Sequence, residues 1–214
     1  TRAQWSAAKP SESSKAAMDW WTNFNTAAGK REIVLAEEYA ITNDQLAALQ
    51  VEREIADTLS SGHGEVSVFW IDEATGVYCK ARPDWMRPLP DRRVRLLDLK
   101  AVADESAEGF GKAIARMGYH RQRAHYIAGI ESTGRKVEEF VFAAVSSTPP
   151  VLAVPYILHE EIAQQGVDEC RELLELYAWC VANDRWPPPG EGLQVVDVPK
   201  WAKRTDDITV EFTP

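Results

Sequence analysis

The segment VRLLDLK, residues 94–100, gives the clearest indication of architecture in this sequence. Its aliphatic run predicts a buried β-strand. Side chains alternate between the two faces of a strand, so Asp98 and Lys100 share one face and Leu97 and Leu99 share the other. A carboxylate and an ammonium on one face of a hydrophobic strand are costly to desolvate. The segment therefore predicts either a functional site or, if the strand lies at an exposed edge, a simple ion pair.

The segments on both sides of this strand alternate between helix and strand patterns. Upstream, residues 42–59 have the apolar period of an amphipathic helix, and a weaker helical pattern covers residues 14–28. Two β-rich runs around a turn ending in Gly76 predict a hairpin of residues 66–71 and 77–82. Downstream come a helical stretch, two strands and a helix, at residues 106–130, 137–147, 151–159 and 160–181. This order predicts an α/β domain with a central mixed β-sheet flanked by helices.

The composition is that of an ordinary globular domain. A length of 214 residues, 45% of them hydrophobic, is sufficient for one domain with a continuous core. No apolar run approaches the length of a membrane span, so we expect a soluble protein without membrane contact. Three cysteines without a close CxxC pair disfavour a disulfide framework and fit a reducing cytoplasm. The sequence begins with neither Met nor a signal-peptide pattern, so we expect a segment upstream of it.

The charge of the chain is unevenly distributed. The net charge of −9 taken alone argues against nucleic acid, because phosphate contacts need Lys and Arg. Residues 80–123, however, contain eleven Lys and Arg against six Asp and Glu, a net charge of +5, while the rest of the chain carries −14. This asymmetry indicates either a basic surface on an acidic body or a solvated face with chance clustering.

Acidic residues near the strand predict a metal site. Asp84 follows the second hairpin run in the sequence ARPDW and can reach Asp98 if the two strands are neighbours, and Glu65 adds a third carboxylate. Converging carboxylates repel each other unless they bind a hard cation such as Mg²⁺ or Mn²⁺, which can activate water and polarise a phosphodiester. Lys100 would then position or deprotonate the attacking water, or offset charge in the transition state. The alternative is a turn at Asp84 and an ion pair between Asp98 and Lys100.

The helical stretch that follows contains a second group of candidates. Gln122 and Tyr126, spaced i and i+4, share a helix face and can approach a metal-bound phosphate, although a half-buried helix face is the simpler interpretation of the pair alone. His120 and His125 are candidates for contacts with the DNA backbone. Further candidate DNA contacts are cations and one aromatic side chain of the basic stretch: Arg82, Trp85, Arg121 and Arg123. Core packing is the simpler interpretation of Trp85 alone.

Four blocks of the sequence together resemble the nuclease domain of RecE-type phage exonucleases (exonuclease VIII), which belong to the PD-(D/E)XK superfamily. The blocks are GHGEVSVFWIDEATGVYCKARPDW, LLDLK, YHRQRAHYIAG and WPPPGEGLQVVDVPKWAKR, between residues 62 and 204. The resemblance implies a restriction-endonuclease-like core with a Mg²⁺ or Mn²⁺ site. The implied site comprises the metal-binding Asp84 and Asp98, an additional acid at Glu65, a lysine serving the nucleophilic water at Lys100, and the helix motif Gln122 and Tyr126.

The resemblance also predicts how the chain is organised. We expect a single nuclease domain over residues 1–214, with a helical N-terminal part at 1–61, a catalytic core at 62–204 and a tail at 205–214. Similar enzymes carry a metal-binding His on a helix near the start of the domain. This sequence has no His before His63, which reads as part of a Gly-His turn, so that ligand is expected on a segment outside the sequence.

Similar enzymes degrade linear double-stranded DNA from the 5′ end and leave 3′ single-stranded tails for recombination. They form rings around the DNA and act with a single-strand annealing protein, and we expect the same activity and partners here. Two alternatives stay open: a structure-specific or restriction-like endonuclease, which would also cut circular DNA, and a catalytically incomplete fragment that only binds DNA or a partner. An acidic α/β domain with an edge-strand ion pair is a third, which leaves the four blocks unexplained.

Overall fold

A central β-sheet organises the chain. The computed structural model describes residues 15–31, 33–188 and 195–197. The strands within these ranges are β1 (His63–Gly64), β2 (Val68–Ile71), β3 (Tyr78–Ala81), β4 (Trp85–Pro88), β5 (Arg93–Val102), β6 (Lys136–Ser146) and β7 (Ala153–Tyr156). The helices are α1 (Lys15–Ala28), α2 (Ala36–Val51), α3 (Arg53–Leu59), α4 (Ala107–Met117), α5 (Tyr119–Glu131) and α6 (Glu160–Asn183).

Five of the strands form one mixed sheet in the order β1-β4-β5-β6-β7, and β2 and β3 form a separate hairpin. β5 and β6 are parallel, and the other neighbouring pairs are antiparallel. Parallel neighbours need a crossover connection, which α4 and α5 provide. The predicted fold class, an α/β domain with a central mixed sheet flanked by helices, is therefore confirmed.

Hydrophobic side chains cover both faces of this sheet. Alternation along β5 sends Leu96 into one cluster, under α4 and α5, and Leu97 into another, under α2 and α3. Burying one such side chain completely contributes about 1.5–3 kcal/mol. The first cluster also contains Phe110, Ile130, Phe140 and Phe142, and the second contains Leu49, Ile55 and Ala143. The same alternation carries Asp98 to the side of Leu96, so the carboxyl lies beneath α5.

The β2–β3 hairpin is attached to helices instead of the main sheet. The Trp70 ring centroid lies 4.8 Å from that of His125, and the indole lies so close to Gly129 of α5 that a Cβ there would be 2.6 Å from the ring. Asp72, at the end of β2, accepts two hydrogen bonds from Arg171 of α6, at 2.8 and 2.9 Å. Helices α5 and α6 therefore hold the hairpin beside the sheet.

Two helices that the sequence predicts as continuous are interrupted. Between α2 and α3, Glu52 is extended (φ −73°, ψ 118°), and its carboxylate accepts a hydrogen bond from the Ile55 amide at 2.9 Å. Between α4 and α5, Gly118 has a φ of 71°, a left-handed conformation that glycine adopts without steric penalty. Apolar periodicity does not detect either break, because backbone geometry and a local cap cause them.

The hairpin strands and the Pro-rich link also differ in detail from the sequence-based expectation. The strands begin later and are shorter than residues 66–71 and 77–82, so Glu65 lies outside β2. The link after Asp84 contains β4, a strand that the sequence did not predict. Within the described ranges, no helix combines the length and the apolar character needed to cross a bilayer.

Candidate active site

The site forms where β4 ends alongside β5. β4 pairs with β5 from Pro88 opposite Val94 to Trp85 opposite Leu97, and β5 then continues beside β6 alone. Asp98 and Lys100 lie just beyond this point. The side chain of Asp98 is nevertheless only 1% exposed and that of Lys100 13%. The interpretation of these residues as an ion pair on an exposed edge strand is therefore wrong, because α5 covers them.

The core of the site is a buried pair between a carboxylate and an ammonium. Lys100 Nζ donates a hydrogen bond to Asp98 Oδ1 at 3.1 Å and lies 2.6 Å from Asp98 Oδ2. The shorter distance is an ion contact with unsuitable hydrogen-bond geometry, since Oδ2 has no hydrogen-bond partner among the described residues. The period-2 alternation of β5 brings the two side chains to one face, as the sequence predicted.

Gln122 of α5 joins both members of this pair. Its Oε1 accepts a hydrogen bond from Lys100 Nζ at 2.9 Å, and its Nε2 donates one to Asp98 Oδ1 at 3.2 Å. The amide therefore uses its acceptor on the cation and its donor on the anion. This arrangement fixes the lysine relative to the carboxylate, and it assigns a definite position to a residue that the sequence had only placed on a helix face.

An aromatic side chain, Tyr119, also belongs to the site, and the sequence did not predict it. Lys100 Nζ lies 4.5 Å from the centroid of its ring, within the range of a cation–π contact. Tyr119 precedes Gln122 by three residues, so the i, i+3 spacing on α5 was the signal that could have identified it. The predicted partner, Tyr126, packs against the hydrophobic cluster of Leu96, as Tyr119 does, but within the described residues it makes no such contact with Lys100.

Asp84 approaches the site from the other strand. It lies immediately before β4, and its Oδ2 accepts a hydrogen bond from the Leu99 amide at 2.7 Å. The carboxylate thus continues the pairing of β4 with β5 by one further bond, at the point where the backbone of β4 no longer does so. The prediction that Asp84 reaches the face of Asp98 depended on neighbouring strands, and β4 and β5 are neighbours.

Burial dominates the electrostatics of Asp98. Loss of water raises the pKa of this carboxyl above its usual range, and the negative charge of Asp84 raises it further. The hydrogen bonds and charge of Lys100 act in the opposite direction, as does the hydrogen bond from Gln122. The site is therefore a pair of mutually repelling carboxylates, and within the described ranges a cation pairs with the buried Asp98 alone.

These features fit a hard divalent cation. Asp98 Oδ2 is a buried oxygen without a hydrogen-bond partner among the described residues, and Asp84 supplies a second oxygen donor nearby. Mg²⁺ commonly binds through one or two carboxylates and completes its shell with water and substrate phosphate oxygens. Across the described ranges, no cluster of three or more His, Cys, Asp or Glu side chains is arranged to hold a metal. At this position, Asp84 and Asp98 are the two side chains that could hold such an ion.

The predicted third carboxylate does not join this group. The Glu65 amide donates a hydrogen bond to the Asp84 carbonyl at 3.0 Å, so the backbone is adjacent, but the Glu65 carboxylate pairs with Arg82 at 2.8 Å. Both side chains are well exposed, at 59% and 63%. His63 lies in β1 and is exposed as well. Neither Glu65 nor His63 contacts Asp98 or Lys100 in the described part of the chain.

The predicted DNA-binding residues occupy different environments. Trp85 packs in the second cluster, and its indole nitrogen donates to the carbonyls of Thr58 and Ser61 at 3.0 and 3.2 Å, which favours core packing over stacking on a DNA end. Arg121 pairs with Glu169 of α6 at 2.8 Å, away from Asp98. Arg123 is half-buried, and this burial lowers the pKa of its guanidinium. Arg82 alone of the four predicted contacts is mostly exposed.

The two histidines of α5 have structural contacts. His120 is buried, and its Nε2 lies 3.0 Å from Glu169 Oε2. His125 Nε2 lies 3.1 Å from the Lys80 carbonyl oxygen of the hairpin. Both rings therefore join α5 to a neighbouring element through Nε2.

Comparison with known proteins gives a family and a similar fold. Residues 7–199 match the family described as a PDDEXK-like domain of unknown function (DUF3799). A crystal structure of a protein from Eubacterium rectale, provisionally named an exonuclease, is similar with a TM-score of 0.53 and 17% identity, over 86% of this chain and 71% of that chain. A structure named SSO0001 matches with a TM-score of only 0.33 and 14% identity, over 63% and 60% of the two chains. No curated protein matches.

Proposed function

Because the chain belongs to the PDDEXK-like family DUF3799, we propose that it is a metal-dependent nuclease that hydrolyses phosphodiester bonds of linear double-stranded DNA from an end. One observation carries the proposal: Asp98 and Lys100 form a buried pair that Gln122 bridges, with Asp84 on the neighbouring strand. A buried carboxylate–ammonium pair adds little net stability to a sheet, because the cost of desolvating both charges offsets much of their attraction. The same pair can, however, hold a cation and a nucleophile close together.

The two aspartates are the proposed metal ligands. Asp84 and Asp98 would hold Mg²⁺ or Mn²⁺ through carboxylate oxygens, which are hard ligands suited to these ions. When bound, the ion lowers the pKa of water and polarises the phosphodiester. Asp84 is kept in position by the Leu99 amide, and Asp98 by Gln122 and Lys100. Neither ligand therefore needs to be reordered when the substrate arrives.

Lys100 is the proposed catalytic cation. Its ammonium would orient the attacking water and offset charge as the water oxygen bonds to phosphorus and the bond from phosphorus to the leaving deoxyribose oxygen breaks. The leaving oxygen takes up a proton, so the products are a phosphate end and a hydroxyl end. Gln122 and Tyr119 would act through Lys100 as positioning residues, because both contact its ammonium.

The proposed activity includes a preference for DNA ends. It rests on the resemblance to RecE-type exonucleases and agrees with the provisional name of the Eubacterium rectale protein. The 5′ to 3′ polarity, the recombination role, a ring of several copies and a single-strand annealing partner rest on the same resemblance. A structure-specific or restriction-like endonuclease would use the same residues on a different DNA geometry.

The test is a comparison of linear and covalently closed circular duplex DNA, with Mg²⁺, Mn²⁺ or EDTA. We expect linear DNA to be degraded only with metal, circular DNA to survive, and Lys100→Ala to lose about 10²–10⁴-fold in rate. Lys112→Ala is the matched control, because Lys112 forms an exposed pair with Glu108 on α4 and should retain full activity. Cleavage of circular DNA would favour the endonuclease, and metal-independent cleavage would reject the proposal.

One observation favours a second candidate, a domain that binds DNA or a partner without cutting. The Glu65 carboxylate is engaged by Arg82, which leaves two carboxylates at the site. A two-carboxylate site should still bind Mn²⁺ measurably, and titration calorimetry would detect it. No heat of binding in the wild type, together with no cleavage of any DNA, would support the non-catalytic candidate.

A further inference from the structure

The β2–β3 hairpin has two chemically different faces. Its inner face, formed by Val68, Trp70, Cys79 and Ala81, is buried or half-buried and packs toward α5. Its outer face presents the alternate residues, Phe69 and Ile71 on β2 and Tyr78 and Lys80 on β3. The register places Phe69 opposite Lys80 and Ile71 opposite Tyr78, so these four side chains form one continuous surface. We call these four residues the outer hairpin surface.

The outer hairpin surface is unusually apolar for its exposure. The exposed fractions are 74% for Phe69, 51% for Ile71 and 85% for Tyr78. The hairpin does not need these side chains for its own attachment, because Trp70 and the Asp72–Arg171 pair already fix it to α5 and α6. A contiguous exposed apolar patch that the fold does not use indicates a binding surface.

The charge beside these side chains selects the kind of ligand. Lys80 is exposed, and its ammonium makes no ion pair within the described ranges. Arg82 follows two residues later and is 63% exposed, with Glu65 as its neighbour. Aromatic side chains interleaved with unpaired or weakly paired cations suit a ligand with planar rings and phosphates. They suit an acidic polymer better than an apolar peptide.

The base of the hairpin adjoins the candidate active site. β3 ends at Ala81, three residues before Asp84, and the Glu65 amide, which precedes β2, donates a hydrogen bond to the Asp84 carbonyl at 3.0 Å. A DNA strand whose phosphodiester lies at Asp84 and Asp98 therefore has the base of the hairpin beside it. His125 of α5, the helix that also carries Gln122, lies 3.1 Å from the Lys80 carbonyl oxygen. The hairpin and the site thus share α5 as a common support.

We propose that the outer hairpin surface binds the unpaired bases of a DNA strand next to the scissile phosphate, with bases stacked on Phe69 and Tyr78 and a phosphate paired with Lys80. Stacking requires exposed base faces, so the ligand is single-stranded DNA or the frayed end of a duplex. This inference rests on the proposed nuclease function and specifies how its substrate is held. It gives the hairpin a role in binding and none in the chemical step.

The test is fluorescence anisotropy with a labelled oligothymidylate and, separately, a labelled blunt duplex, both in Ca²⁺ and in EDTA. Replacing Phe69 and Tyr78 together by Thr keeps the β-propensity of the strands and removes the rings. We expect the double variant to bind the single strand at least tenfold more weakly, because each stacked base contributes strongly. Binding to the blunt duplex should change much less.

Lys80→Ala supplies an independent measurement. Removing one phosphate contact to a single strand should reduce the slope of log affinity against log salt by about 0.7. The control for the double variant is Leu176→Gln with Trp179→Gln on α6, which removes two apolar side chains of about half exposure outside the hairpin. Its affinity for the oligothymidylate should equal that of the wild type, and thermal melting should report folded protein in every case.

Two outcomes would overturn the proposal while the nuclease function survives. In the first, the Phe69 and Tyr78 double variant binds the single strand as tightly as the wild type, although the wild type cleaves DNA with metal. In the second, the double variant loses mass in light scattering and keeps its DNA affinity, which would make the surface an interface between copies. A wild type that neither binds nor cleaves any DNA would remove both proposals together.

Discussion

Two carboxylate–cation pairs in this molecule have similar chemistry but differ in how fully hydrogen bonds satisfy the carboxylate oxygens. Asp72 and Arg171 join the hairpin to α6 through two parallel hydrogen bonds, and the Thr75 hydroxyl adds a third to the same carboxylate. Asp98 and Lys100 lie in the sheet, and one of the Asp98 oxygens has no hydrogen-bond partner among the described residues. Hydrogen bonds therefore engage both oxygens of Asp72, whereas Asp98 Oδ2 has only its ion contact with Lys100 Nζ at 2.6 Å.

The pKa directions of the two aspartates express this difference. The guanidinium of Arg171, above all, lowers the pKa of Asp72 to about 2, so the folded protein favours its charged form. Burial, above all, raises the pKa of Asp98 despite the ammonium beside it, so the fold opposes its charge. A carboxylate whose burial disfavours its charged form does not stabilise the folded protein. We infer that the Asp98 pair is retained for function and the Asp72 pair for stability.

The largest expected effect comes from removing the charges of the site pair. The double variant Asp98→Asn with Lys100→Met should lose nuclease activity by about 10²–10⁴-fold or more, since both proposed chemical roles disappear. Its free energy of unfolding should stay the same or rise, because replacing a buried ion pair with neutral groups is often neutral or stabilising. Urea unfolding measures this. A large loss of stability would mean that the site pair is structural after all.

The next expected effect concerns the bridge between the two members of the site pair. Gln122→Leu removes the amide that bonds Lys100 and Asp98, and we expect a loss of activity on the order of tenfold to a hundredfold, with the fold intact. Gln122→Glu should not rescue activity, because a carboxylate accepts from Lys100 and cannot donate to Asp98. Gln164→Leu, at an exposed amide of α6, should leave the rate unchanged.

The smallest expected effect is a change of stability that depends on pH. Asp72→Asn should lower the free energy of unfolding by about 1–2 kcal/mol at pH 7, discounted because Arg171 is 43% exposed. The pKa of Asp72 in the folded protein, about 2, lies below its ordinary value of 3.8, so its stabilisation is present above about pH 4 and is lost as the pH falls toward 2. The difference between wild type and variant should therefore shrink below pH 4.

Urea unfolding at several pH values between 7 and 3 would measure this difference. Asp91→Asn is the control, since Asp91 is 87% exposed and 4.0 Å from Arg93, and its effect should stay within about 0.5 kcal/mol at every pH. If the difference in unfolding free energy between wild type and Asp72→Asn grew on acidification, the assignment of the Asp72–Arg171 pair as the stabilising pair would be wrong.

The sequence predicted those parts of the site that depend on the two-residue alternation of side chains along a strand. Strand alternation placed Asp98 and Lys100 on one face, and the neighbouring strand brought Asp84 beside them. It did not distinguish Tyr119 from Tyr126, because both share a helix face with Gln122 and only tertiary packing determines the rotation of α5. It also expected a free Glu65, whose side chain is directed by an arginine partner that no spacing rule identifies.

The order of the elements was more predictable from the sequence than the points at which helices break and short strands form. The order of helices and strands followed from periodicity, whereas the breaks at Glu52 and Gly118 follow from single backbone conformations. The strand β4 was missed because a segment between prolines has weak β-propensity of its own, and pairing with β5 supplies what the local sequence lacks. For Trp85 the simpler interpretation, core packing, agrees with its contacts beside α3.

The hydrogen bond from the Leu99 amide to Asp84 makes one backbone proton a reporter of the site. A side-chain acceptor, unlike a backbone carbonyl of a partner strand, can rotate away when another ligand competes for it. The Leu99 amide resonance therefore senses the orientation of the Asp84 carboxylate directly. The rate at which the amide proton exchanges with solvent measures how often this hydrogen bond breaks. In this way a single spectroscopic probe, read without any nuclease assay, follows the residue on which the proposed metal site depends.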